Sequence, residues 1–158
     1  MAGLELITRD PGVTERLGCA LAELLPTGTV VALFGDLATG KTCLVRGMAT
    51  HYAGAAPVHS PTFTLVNQYG ADPALYHLDL YRLGGPEELA DLGYEELFEP
   101  EGVCVVEWAE RAGLLLPPKR LEVHLSHEGG DARRLAFDDR GVMPMGWERA
   151  LSEALSKS

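Results

Sequence analysis

Cysteine is scarce in this chain: Cys19, Cys43 and Cys104 are the only three in 158 residues. An odd number without C-x-x-C spacing argues against a disulfide framework or a zinc site and for free thiols in a reducing compartment. Long hydrophobic runs are absent too. The longest apolar stretches fall far short of the ~20 residues that span a bilayer. Met1-Ala2-Gly3-Leu4-Glu5 has neither the basic nor the apolar region of a signal peptide, so a cytoplasmic protein with no membrane role is expected. Positive charge is in deficit: 13 Lys and Arg against 23 Asp and Glu leave a net charge of −10. Arg133-Arg134 and Lys119-Arg120 are the only adjacent basic pairs. A chain of this balance is a poor partner for nucleic acid by itself, so any RNA it serves is expected to be held by another protein. No internal repeat, low-complexity tract or linker interrupts the sequence, and residues 1–158 are expected to form a single domain.

Against these absences one stretch stands out. Gly35-Asp36-Leu37-Ala38-Thr39-Gly40-Lys41-Thr42 fits the phosphate-binding pattern G-x-x-x-x-G-K-[ST]. The apolar run Val30-Val31-Ala32-Leu33-Phe34 before it reads as a buried strand, and Leu44, Val45 and Met48 after it have helical spacing. Strand, glycine loop and helix are the context the motif requires. Glycines let the backbone N–H groups crowd an anion, and the helix that follows directs its positive end at the phosphates. Lys41 would reach the β- and γ-phosphates, and the Thr42 hydroxyl would ligate Mg²⁺. A nucleoside triphosphate site is therefore expected, with Lys41 catalytic and residues 35–42 wrapping the phosphates.

The remaining pattern alternates strands with helices. Leu4 to Ile7 reads as a strand. Asp10 is an N-cap with Pro11 at the first helical position, and Val13, Leu17, Leu21 and Leu24 make the apolar stripe of a helix ending at Pro26. Strands are expected at Thr29 to Phe34, Phe63 to Tyr69, Leu75 to Leu80, Val103 to Val106, Leu121 to Leu125 and Arg134 to Phe137. The second and third of these look like an antiparallel hairpin inserted into the fold, and the last two like a terminal hairpin turning at Gly129-Gly130-Asp131. Helices are expected from Lys41 to about Tyr52, at Pro86 to Leu89, at Gly93 to Phe98 and over Pro144 to Leu155. The sum is an α/β, P-loop NTPase-like three-layer fold: a mixed, mainly parallel core sheet with antiparallel hairpin additions.

Turnover needs more than a phosphate loop. Glu107 follows the buried run Val103-Cys104-Val105-Val106, at the strand end where ligands of open α/β sheets sit. It is either a magnesium ligand of the Walker B kind or a capping or solvated glutamate. In His77-Leu78-Asp79-Leu80-Tyr81-Arg82, period-2 alternation gathers His77, Asp79 and Tyr81 on one face. That face is either open to water or one wall of the site, and His77 could serve only as a hydrogen-bonded structural residue. Ser60-Pro61-Thr62-Phe63-Thr64 is either a loop that contacts a γ-phosphate or its metal, as switch loops do, or an ordinary turn.

Taken together, the motifs Gly35-Asp36-Leu37-x-x-Gly40-Lys41-Thr42, Ser60-Pro61-Thr62-Phe63-Thr64, His77-x-Asp79-x-Tyr81-Arg82 and Val106-Glu107-Trp108, in this order, resemble the bacterial TsaE (YjeE) proteins. The resemblance covers roughly residues 5 to 137. It implies a small ATPase needed for N6-threonylcarbamoyladenosine in tRNA, next to the anticodon. The ATPase would act with TsaD, which transfers the threonylcarbamoyl group, and with TsaB, hydrolysing ATP to reset their complex; tRNA would be met only through that complex. Carried over by position, Thr42 and Glu107 would hold Mg²⁺, Asp79 would help place metal or water, Thr62 would belong to a switch-like loop and Trp108 would pack beside the site. Arg133, Arg134 or the segment Thr8 to Asp10 could contact the nucleotide. One departure is visible: family members commonly have glycine-alanine where this chain has Ala38-Thr39, and alanine resists a positive φ.

Three other readings compete. A P-loop kinase would need an arginine-bearing lid, and no lid-like insertion here carries an arginine cluster. A GTP switch would need the guanine-reading N-K-x-D, which is absent. A non-enzymatic module would keep ATP as a structural ligand.

Overall fold

The structure, a computed structural model, describes residues 2–36, 39–54, 66–70, 73–81, 86–91, 98 and 101–157. Among these, seven strands form one sheet in the order β1-β7-β6-β2-β5-β4-β3. They are β1 (Ala2–Thr8), β2 (Val30–Phe34), β3 (Val66–Tyr69), β4 (Leu75–Asp79), β5 (Val103–Glu107), β6 (Leu121–Gly129) and β7 (Ala132–Asp139). The helices are α1 (Pro11–Leu24), α2 (Lys41–Ala53), α3 (Pro86–Ala90) and α4 (Trp147–Ser156), with two short 3-10 turns after β5. Strands β6, β2, β5 and β4 run parallel, while β1 and β7 on one side and β3 on the other pair antiparallel. The mixed sheet with a parallel core is as expected.

Alternation along the strands sorts the core into two layers. Val31, Leu33, Val103, Val105, Leu121, Val123, Leu135 and Phe137 pack under α1, α2 and α4. Val30, Ala32, Cys104, Val106, Leu78 and Leu80 pack on the other face with Leu89 of α3, Phe98 and Leu116. Strands β2 and β5 are apolar on both faces because both are covered, as a central parallel strand requires.

Helix α1 starts where Asp10 predicts: its carboxylate accepts from Val13 N at 3.0 Å, and Pro11 follows. It crosses α2 at glycines. A Cβ on Gly47 would lie 1.8 Å from Glu15 O, and one on Gly18 would lie 2.2 Å from Leu44 O.

Several boundaries differ from expectation. The hairpin expected as an insertion is the edge of the main sheet: β4 pairs in parallel with β5 from Leu75↔Val103 to Asp79↔Glu107. Leu75, Leu78 and Leu80 are buried on both sides of it, which anchors the strand in the core. The terminal hairpin is longer than its apolar runs, since its polar outer positions still complete the ladder around Gly130-Asp131. Helix α4 begins only at Trp147, because Gly146 is left-handed (φ 83). Residues 63–65 of the expected β3 and most of the expected helix at Gly93 to Phe98 lie outside the described residues. No described helix is long and apolar enough to cross a membrane.

Candidate functional site

The site is built where β2, β5 and β4 end together. Leu33 pairs with Glu107, and Asp79 pairs with the same residue from the other side. Glu107 continues the row Val103-Val105, and Asp79 continues Leu75-His77. Both therefore lie on the face that carries α1 and α2.

Beyond Phe34 the chain turns at Gly35, whose φ is 149. A Cβ there would meet Leu125 O at 2.7 Å and Thr39 Oγ1 at 2.8 Å, so the turn requires glycine. Thr39 Oγ1 donates to Asp36 O at 2.8 Å, closing the loop on itself. Gly40, at φ 98, then sets the start of α2, and no side chain caps it. The N–H groups of a helix's first turn point out from its start, which suits an anion there. Leu37 and Ala38, including the expected effect of alanine at 38, lie outside the described residues, as do Thr62 and Arg82.

Lys41 opens α2 with its side chain buried. Its Nζ donates to Gly35 O at 2.5 Å and stands 3.6 Å from the centre of the Trp108 ring. Burial lowers the Lys41 pKa, opposed by the negative charges of Glu107, Glu110, Asp79 and Asp36. Thr42 is the next residue of the helix.

Glu107 is only 3% exposed, and His77 Nε2 donates to its Oε2 at 2.5 Å. The structural role left open for His77 is thus observed, and its partner is the candidate acid. Asp79 Oδ1 accepts from Tyr81 N at 2.9 Å. Burial raises the Asp79 pKa and the charge of Glu107 adds to this, against the Tyr81 N–H, His77 and Lys41. Along this face His77 is buried, Asp79 half-buried and Tyr81 exposed.

Trp108 ends β5 in the left-handed region (φ 56, ψ 44), alone among the described non-glycine residues with φ above zero. Such a conformation is costly for a bulky side chain and is typical of functional sites. Its ring lies 4.9 Å from that of Tyr81, whose other neighbour is Arg111 at 5.9 Å.

The weaker candidates separate. Arg134 is held by Glu128 through two hydrogen bonds, at 2.8 and 2.9 Å, and by Glu5. Its side chain is committed to these acids and not turned to the loop. Asp10 caps α1. Thr8 and Arg133, paired across β1 and β7, do lie near the loop. Thr8 and Thr14 share a 2.6 Å hydrogen bond, and the Arg133 stem and the Thr14 methyl flank Gly40. Glu110 was not anticipated: its charge acts on Lys41 from the 3-10 turn after β5, and neither a period of 2 nor of 3.6 announces such a turn.

These features define a class: an α/β protein with a glycine-lysine loop at the carboxyl edge of a mixed sheet and two acids beside it, Glu107 buried and Asp79 half-buried. Comparison with known proteins agrees. The family model for "Threonylcarbamoyl adenosine biosynthesis protein TsaE" matches residues 8–135. A Treponema pallidum protein named tRNA threonylcarbamoyladenosine biosynthesis protein TsaE is 40% identical over 122 residues, 77% of this chain and 90% of the relative. A Bacillus subtilis protein of the same name is 38% identical over 139 residues, 87% of this chain and 86% of the relative. The crystal structure of Bacillus subtilis YdiB superposes with a TM-score of 0.76 at 32% identity, covering 99% of this chain and 95% of that one. The chain belongs to the TsaE family.

Proposed function

We propose that this chain is a cytoplasmic ATPase of tRNA N6-threonylcarbamoyladenosine synthesis, hydrolysing ATP to reset a transferase complex of TsaD and TsaB. The observation that carries the reading is Lys41: a buried ammonium at the head of an uncapped helix, faced by Glu107 and Asp79. Lys41 Nζ lies against Gly35 O and the Trp108 ring. A β,γ-phosphate offers it stronger, charge-assisted hydrogen bonds, so ATP draws Nζ from the carbonyl. The loop N–H groups then hold the phosphates, and Asp79 orients the attacking water through its carboxylate.

The residues present fit magnesium. Their donors are oxygens, from Thr42, Glu107 and Asp79. Thr42 and Glu107 would hold the ion, and it would supply neutralisation of charge on the transferred phosphoryl group.

The test is MgATP hydrolysis by this chain, alone and with TsaB and TsaD from the same source, with Lys41→Ala as control. Slow hydrolysis that rises at least about tenfold with partners and vanishes in the variant is expected. Hydrolysis unmoved by partners would break the resetting role, and phosphorylation of a small acceptor would favour the kinase reading instead.

A further inference from the structure

Glu107 is a buried carboxylate, and a buried carboxylate needs a donor. That donor is His77, itself fully buried. In the parallel pair β4–β5, His77 lies level with Val105, one step below the pair Asp79↔Glu107. The ring thus reaches Glu107 from the core side of the sheet, opposite the loop that carries Lys41. To donate to a carboxylate, Nε2 must carry the hydrogen. The other nitrogen, Nδ1, is buried with no hydrogen-bond partner among the described residues. An unsatisfied buried nitrogen costs stability, so packing alone does not account for histidine here. What the ring achieves is to pin one oxygen of Glu107 and, with it, the plane of the carboxylate.

We propose that His77 is the positioning residue of the metal-binding acid: by holding Glu107 Oε2 it turns Oε1 toward the phosphate loop. The inference rests on Glu107 being a magnesium ligand. Groups that orient a ligand in this way typically carry about 10- to 100-fold in metal affinity.

The experiment is calorimetric titration of the full chain with ATPγS, in Mg²⁺ and in EDTA, for the wild type, His77→Leu, His77→Gln, Glu107→Gln and the double variant His77→Leu/Glu107→Gln. The readout is the affinity gained from Mg²⁺. His77→Leu is expected to lose about tenfold or more of that gain while its affinity in EDTA stays within about twofold. His77→Gln, whose amide nitrogen can stand where Nε2 stands, is expected to restore most of it. In the Glu107→Gln background, His77→Leu is expected to remove nothing further. A His77→Leu protein with a lower Tm but an undiminished gain would overturn the proposal, as would an equal loss in both backgrounds. Should His77→Leu not fold, His77→Asn against His77→Gln makes the same comparison, because the shorter amide cannot reach Glu107. A wild type that binds no nucleotide, or binds it with no gain from Mg²⁺, would overturn the site reading as well. An unaffected variant beside a responsive wild type would overturn the role of His77 alone.

Discussion

At the residue scale, the site is a balance of one buried cation against several acids. Burial lowers the Lys41 pKa, and the charges of Glu107, Glu110, Asp79 and Asp36 oppose that shift. Removing one acid should therefore act on chemistry more than on nucleotide capture, which the loop N–H groups and Lys41 provide. Glu107→Ala is expected to lower kcat about 100-fold or more, the scale of losing a key electrostatic group. Affinity for metal-free ATP should stay within a few-fold. Single-turnover hydrolysis beside titration calorimetry separates the two effects, and undiminished turnover would remove Glu107 from the mechanism. The position of this acid was legible in the sequence, because a run of four apolar residues ending in a carboxylate marks a strand end. The conformation of Trp108 was not: a left-handed tryptophan leaves no local signal, and its ring meets Lys41 and Tyr81, both distant in sequence.

At the scale of elements, α2 is held in place by α1, and the two meet through glycine. Helix propensity alone predicts that Gly47→Ala stabilises α2 by ~1 kcal/mol. Packing predicts the opposite sign, since the new Cβ would lie 1.8 Å from Glu15 O, a backbone atom that cannot swing aside. Overpacking of this kind costs about 2–3 kcal/mol, so Tm should fall by roughly 5–10 °C. A rise in Tm by calorimetry would show that the helices separate freely. Another contact ties β6 to β7 and the segment after it. Burial alone would raise the Glu122 pKa, but hydrogen bonds from His124 and Arg120 and the charges of Arg120 and Arg140 outweigh it and leave it below 4.5. A depressed carboxylate stabilises the fold above its unfolded pKa and stops doing so as pH falls through its folded pKa. Glu122→Gln should accordingly cost ~1 kcal/mol at neutral pH. The difference should shrink as the pH drops below 4.5, and urea unfolding at both pH values checks it. The described helices and most described strands were readable from period and caps, as Asp10 and Pro11 illustrate. The neighbours of β4 were not, because alternation tells which face a residue takes and not which strand lies beside it.

At the scale of the whole molecule, charge decides what the chain can hold by itself. Affinity for tRNA comes chiefly from Lys and Arg on phosphates, and this chain has 13 of them against 23 acids. The structure reduces that number further. Arg134 is committed to Glu128 and Glu5, Arg120 and Arg140 to Glu122, and Arg149 to Glu153. Lys41 is buried in the loop. The net field of −10 would oppose the approach of a nucleic acid to this surface. The chain alone is therefore expected to bind tRNA with a Kd weaker than the ~100 μM end of non-specific association at physiological salt. Its association with TsaB and TsaD should bring it to the tRNA instead. Fluorescence anisotropy of labelled tRNA, titrated with this chain and then with the three proteins together, measures both. Micromolar binding by the chain alone would mean that its exposed cations suffice to hold the RNA, and the division of labour proposed here would have to be redrawn.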